Sequence, residues 1–131
     1  MQYLCDTNII SELAKGEPNP GVIEWAGTVA GCALSVITIE ELHYGLSWRP
    51  NTRVQAWVEG FVRDHAEVLP VTEPIARAAG VLRGRMRAGG ITRTQADMLI
   101  AATALVHGLT VVTRNGRDFE GCGVPVLDPF R

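Results

Sequence analysis

The chain has 131 residues, 47% of them hydrophobic, which is enough for the core of one domain spanning residues 1–131. A net charge of −2 argues against a protein that holds nucleic acid by bulk electrostatics, since such domains usually carry a basic face. No apolar run approaches the roughly 18 residues that cross a bilayer, and Cys5, Cys32 and Cys122 are odd in number and far apart, which excludes a disulfide framework or a zinc spacing and suits a reducing cytosol.

Asp6 and Asn8 interrupt the opening apolar run from Met1 to Cys5, so no cleavable leader is expected. The pattern predicts a strand over 2–5 and a helix near 8–15, with Thr7 and Asn8 able to cap a helix running from Ile9; Gly16, Pro18, Asn19, Pro20 and Gly21 then mark a turn. A short helix over 22–26 is followed by a buried strand over 32–36 and a helix from Ile39 that ends near Pro50. Residues 54–64 form a helix with Trp57, Val58, Phe61 and Val62 on its apolar side, and 68–71 a short strand. Thr72 caps the next helix, Pro74 sits in its first turn and Gly89-Gly90 ends it. Thr94 opens a helix through His107, Gly108 stops it, 110–113 is a strand, and 124–127 is an edge strand beside Pro125. Alternating strands and helices predict a single α/β domain, a mostly parallel central sheet flanked by helices on both faces.

Four acids occupy comparable places in that plan: Asp6 after the first strand, Glu41 in the first turn of the helix after the second, Asp97 in the first turn of the helix before the fourth, and Asp118 after that strand. Strand carboxyl ends and helix amino ends share one edge of such a sheet, where ligand sites form. Each acid also has a structural reading. Thr38 with Glu41 and Thr94 with Asp97 have near-capping-box spacing, Asp6 can close an Asx turn, and Asp118 can be a loop residue. Helical position separates the readings: Asp97 shares a face with Ile100, Ala101, Ala104 and Leu105, so it points with the buried stripe. Glu41 shares one with Tyr44, Gly45 and Trp48, and Gly45 leaves room for another backbone, whereas Glu40 falls beside His43 and Ser47 on a polar face. Arg77, Arg83, Arg85, Arg87 and Arg93 form a run free of acids, either a solvated helix face or a phosphate-binding surface.

Four segments, in order, resemble the PIN-domain nucleases and among them the VapC-type toxins: Asp6-Thr7-Asn8; Ser35-Val36-Ile37-Thr38-Ile39-Glu40-Glu41-Leu42-His43-Tyr44-Gly45; Ala96-Asp97-Met98-Leu99-Ile100-Ala101-Ala102-Thr103-Ala104; and Val112-Thr113-Arg114-Asn115-Gly116-Arg117-Asp118-Phe119. The resemblance implies a Mg²⁺- or Mn²⁺-dependent endoribonuclease acting on transfer or ribosomal RNA, the toxin of a type II toxin–antitoxin pair, held inactive by a VapB-like antitoxin in a homodimer or hetero-oligomer. It implies Asp6 and Asp97 as direct or water-mediated metal ligands, Glu41 completing the site or orienting the attacking water, and Asp118 helping a second metal. Thr7, Asn8 and Thr113 would orient the carboxylates. Many PIN domains place their fourth acid where this chain has Asn115, so Asn115 and Asp118 compete for that role. Trp25, Tyr44, Trp48, Trp57 and Phe61 offer apolar surface for an antitoxin helix or a homodimer contact. Two alternatives stand beside this reading. One is a catalytically silent PIN-fold RNA-binding or assembly module. The other is a Mg²⁺-binding receiver or phosphatase-type domain, which needs a lysine near the phosphate; the only lysine, Lys15, is badly placed in the first helix.

Overall fold

Leu4 and Cys5 are both fully buried, although neighbouring side chains on a strand point to opposite faces, so the first strand must be covered on both sides. A computed structural model describing residues 2–131 shows how; Met1, counted in the opening apolar run, lies outside the described residues. The chain runs β1 (Tyr3–Cys5), α1 (Thr7–Leu13), α2 (Pro20–Ala26), β2 (Cys32–Ser35), α3 (Val36–Trp48), α4 (Thr52–His65), β3 (Ala66–Leu69), α5 (Glu73–Ala88), α6 (Gln95–His107), β4 (Thr110–Val112), a 3₁₀ turn (Gly116–Phe119) and β5 (Val126–Leu127). The five strands form one parallel sheet in the order β3-β2-β1-β4-β5. Leu4 stands opposite Ala33 on one side and Val111 on the other.

Strand alternation divides the core. Leu4, Ala33 and Val111 face α5 and α6, where they meet Ile75, Ala79, Met98, Ala101 and Phe119. Cys5, Cys32, Leu34 and Val112 face α1 to α4, against Ile9, Ile10, Val22, Leu42 and Val58. Helix α6 is buried almost all round: Met98, Ile100, Ala101, Ala102, Thr103 and Ala104 have no exposed surface, because small residues let it press onto the sheet while α5 covers its back. Thr94 caps its start by accepting the Asp97 N–H at 3.1 Å, and Gly108 ends it at φ +67, a conformation that costs residues with a Cβ.

Several element boundaries differ from the sequence expectation, α1 starting at Thr7 and α2 at Pro20 among them. Helix α3 begins at Val36, directly after β2, because the Ser35 side chain accepts the Ile37 N–H at 3.0 Å and leaves Thr38 inside the helix, fully buried. Glu41 therefore lies in the second turn, not the first, and Thr38 is not its cap. The third strand is Ala66–Leu69, continuous with α4, since pairing with β2 runs from Cys32↔Ala66 to Ser35↔Leu69. The last strand shrinks to Val126–Leu127, paired with Val111 and Val112. The order of elements otherwise matches.

The chain leaves β3 by crossing to the other side of β1, so β4 lies next to β1 while their neighbouring helices lie on opposite faces. A crevice must open above the carboxyl ends of β1 and β4, at the switch point of the sheet.

Candidate active site

Asp6 follows β1 into that crevice. Its backbone N–H donates to the Val112 carbonyl at 2.9 Å, which locks the residue against the end of β4. Its carboxylate caps α1: Oδ1 accepts the Thr7 N–H at 2.8 Å, so Asp6 itself, and not Thr7 or Asn8, is the cap. Oδ2 accepts the Thr113 hydroxyl at 2.8 Å and the Asn8 amide at 3.2 Å. Asn8 also receives the Arg114 N–H on its Oδ1 at 3.1 Å, tying the loop after β4 to α1. A carboxylate that is 7% exposed is thus oriented by three donors, while Oδ1 keeps a lone pair free.

Glu41 arrives from α3. The Thr7 hydroxyl donates to its Oε1 at 2.7 Å and touches the buried Thr38 hydroxyl at 3.2 Å, so the turn that places Asp6 also fixes Glu41. The face it was expected to share is not an interface within the chain: Tyr44 and Trp48 are 69% and 72% exposed, and a side chain at Gly45 would meet nothing. Glu40 is exposed, as its polar face suggested. Asp97 comes from the first turn of α6, half-buried above the stripe that packs on the sheet.

Asp6, Glu41 and Asp97 line one open cleft of about 440 Å³, together with Thr7, Asn8 and Asn115. Asp118, in the 3₁₀ turn, stands just outside that lining, and Asn115 occupies the nearer position. Burial pushes the Asp6 carboxyl above its ordinary pKa against the pull of Thr113, Thr7 and Asn8, and Asp118 adds repulsion. Asp97 is raised too, first by burial and then by the charges of Asp6, Asp118 and Glu41, with Thr94 opposing. Among the described residues no cation pairs with any of the four acids. Nor, among the described residues, does any group of three His, Cys, Asp or Glu side chains stand close enough together to hold a metal ion by itself. Two or three carboxylates in an open cleft match the habit of Mg²⁺, which keeps several waters beside one or two carboxylates. A depression of similar size at the other edge of the sheet, about 430 Å³, is lined by only one acid, Asp64, which pairs with Arg63 at 3.0 Å.

The cations of the cleft are not those singled out in the sequence. Arg83, Arg85 and Arg87 are exposed on α5, Arg77 pairs with Glu73 at 3.3 Å, and Arg93 donates to the Glu120 carbonyl at 3.1 Å. Lys15 and Arg114 line the cleft instead, with Ser11, Glu12 and Phe130. Lys15, expected within the first helix, instead follows the end of α1 at Leu13 and reaches the cleft wall, where it pairs with Glu12 at 2.9 Å. Hydrogen bonds from Lys15 hold the buried Glu12 below the usual carboxylate range against its desolvation, with the Asn19 N–H assisting at 2.9 Å. The position of Arg114, directly after Thr113 at the end of β4, was the signal that could have found it.

The family model described as "PIN domain" matches residues 3–122. This chain belongs to the PIN-domain family. The domain is 37% identical to the VapC ribonuclease Y4jK of Sinorhizobium fredii, with 95% of each chain covered. It is 30% identical to the tRNA(fMet)-specific endonuclease VapC of Shigella flexneri, over 94% of this chain and 93% of that one. A DNA-bound VapBC structure from Salmonella typhimurium superimposes with a TM-score of 0.84 at 31% identity, covering 98% of both chains. The PIN fold expected from the four segments is thus the fold found, and the cleft lies where those segments meet.

Proposed function

We propose that this PIN domain is a Mg²⁺-dependent endoribonuclease, the toxin of a type II toxin–antitoxin pair. The convergence of Asp6, Glu41 and Asp97 in one cleft, with Asp6 and Asp97 raised in pKa and none of the three paired with a cation among the described residues, carries the reading: such a site favours a divalent ion to balance it. Asp6 and Asp97 would hold Mg²⁺ or Mn²⁺ directly or through water, and Glu41 would complete the site or orient the attacking water. Asn115 reaches the cleft more readily than Asp118, whose role is to add negative charge or serve a second ion. When bound, the ion lowers the pKa of the attacking water and offsets charge on the phosphate. The chain's own part is orientation: Thr113, Asn8 and Thr7 hold the carboxylates so that little reorganisation remains on binding.

The same reading extends to a VapB-like antitoxin and an RNA substrate of the transfer or ribosomal class; the VapBC structure supports the antitoxin, and the tRNA(fMet)-specific relative supports transfer RNA. Trp25, Trp57 and Phe61 line an apolar cavity of about 260 Å³ between α2 and α4, with Trp57 and Phe61 stacked at 5.2 Å. Among the described residues no helix is long and apolar enough to cross a membrane, and the buried free thiols of Cys5, Cys32 and Cys122 support the proposed placement in a reducing cytoplasm.

Induced expression tests the function. The wild-type chain should arrest growth and leave new RNA ends at a few defined sites, and Asp97→Asn should do neither. Equal arrest by both would favour the silent RNA-binding module. Co-expression of the adjacent small reading frame should relieve the arrest and copurify; failure of both would remove the antitoxin.

A further inference from the structure

Four acids cannot themselves attract RNA, so the cleft needs a cation that is not already spent. Lys15 is committed to Glu12. Arg114 is different: its backbone N–H is held by Asn8, but its guanidinium makes no hydrogen bond or ion pair among the described residues. It rests over the Phe130 ring, Cζ 4.8 Å from the centroid, and both side chains line the same cleft as Asp6, Glu41 and Asp97. A guanidinium held over a ring keeps donors free while losing little further freedom on binding phosphate.

Phe130 is held in place by a segment whose sequence gave no hint of a role. Asn19 grips the chain end twice, its Oδ1 accepting the Arg131 N–H at 3.1 Å and its Nδ2 donating to the Arg131 carbonyl at 2.9 Å. Arg131 forms an ion pair with Glu24, and Asp128 accepts the Phe130 N–H at 3.0 Å. Gly21, at the start of α2, has no side chain where the Pro129 carbonyl passes, and any Cβ there would collide with it.

We propose that Arg114, held by Phe130, anchors an RNA phosphate neighbouring the scissile one, and that residues 128–131 are part of the substrate site as the clamp that positions it. The proposal rests on the nuclease reading and names a substrate contact for that same cleft. Arg114 is then the substrate-binding group, and Phe130 and Gly21 are positioning residues.

The test uses the full chain and a fluorescein-labelled, mixed-sequence single-stranded RNA oligonucleotide, with binding read by anisotropy in an Asp97→Asn background and cleavage read in the wild-type background. Arg114→Ala should raise KM and Kd about tenfold with kcat within about twofold, and reduce the slope of log Kd against log salt by about 0.7, the loss of one phosphate contact. Arg114→Lys should keep the salt slope and lose part of the affinity. Phe130→Ala and Gly21→Ala should weaken binding in the same sense, and Phe130→Tyr should restore it. A merely structural role for Phe130 would lower the melting temperature without changing the salt slope. Unchanged binding and cleavage in Arg114→Ala and Phe130→Ala would overturn the proposal, as would a loss of kcat at constant KM, which would place Arg114 in the chemical step. A wild-type chain that neither binds nor cleaves any RNA would instead overturn the nuclease reading itself.

Discussion

Asp97 is where capping, burial and proposed catalysis compete most openly. Its carboxyl is raised by burial and by Asp6, Asp118 and Glu41, so the folded chain binds its proton more tightly than the unfolded chain does. Stability from this group is therefore present below the ordinary carboxylate pKa, about 3.9, and is lost as pH rises through the raised value. Asp97→Asn should accordingly raise the metal-free melting temperature at pH 7 by a few degrees, the gain should vanish near pH 4, and RNA cleavage should fall at least about a hundredfold. A group that served only as a cap would show neither the pH-dependent gain nor the loss of turnover. Thr113→Val makes the opposite case, since it deletes a 2.8 Å hydrogen bond to a buried carboxylate. It should cost about 1.5–3 kcal/mol by denaturant melts and weaken Mg²⁺ binding about 10–100-fold by titration calorimetry. Asp6 and Asp97 could be located from sequence because one follows a strand end and the other lies in a first helical turn, features that local patterning reveals, whereas Glu41 reaches the cleft from the second turn of α3. Arg114 resting on Phe130 could not, because that contact joins residues whose elements meet only through tertiary structure.

At the scale of elements, the sequence signals that succeeded were punctuation and those that failed were choices between neighbouring caps. Gly108 and Thr94 bound α6 where expected, and the Ala-rich run between them supplied the thin helix the sheet requires. Ser35 and Thr38 both precede a plausible helix start, and local propensity cannot choose between them. Tertiary packing decided it: Thr38 is buried under Thr7, which leaves Ser35 to cap. Likewise β3 starts at Ala66 because β2 offers its pairing edge from Cys32 onward, a constraint no local pattern carries. Thr94→Ala should cost about 1 kcal/mol in chemical denaturation, and Thr94→Ser should recover most of it. Because the lost cap frees the first turn that carries Asp97, the Ala variant should also bind Mg²⁺ more weakly; unchanged affinity would mean that α6 is held by packing alone.

For the whole molecule, the topology does most of the positioning. The crossover that sets β4 beside β1 brings Asp6, Thr113 and Arg114 to one edge, and α3 and α6 close in from opposite faces with Glu41 and Asp97. A cleft whose acids and their supports come from four separate parts of the chain should form only when the domain folds as one unit. Metal binding should therefore appear as global stability: at a hundredfold excess over Kd, Mg²⁺ should add about 2.7 kcal/mol to the wild-type chain and much less to Asp97→Asn, read as a shift in melting temperature. The proposed work of these carboxylates is to cut RNA with a divalent ion. Its most direct test is cleavage of an RNA pool by the purified chain, freed of any antitoxin, in Mg²⁺ or in EDTA, beside Asp6→Ala. The wild-type chain should cleave in Mg²⁺ only, and Asp6→Ala should cleave at least about a hundredfold less; equal cleavage by both proteins, or cleavage undiminished in EDTA, would mean that these carboxylates and the ion do not cut RNA.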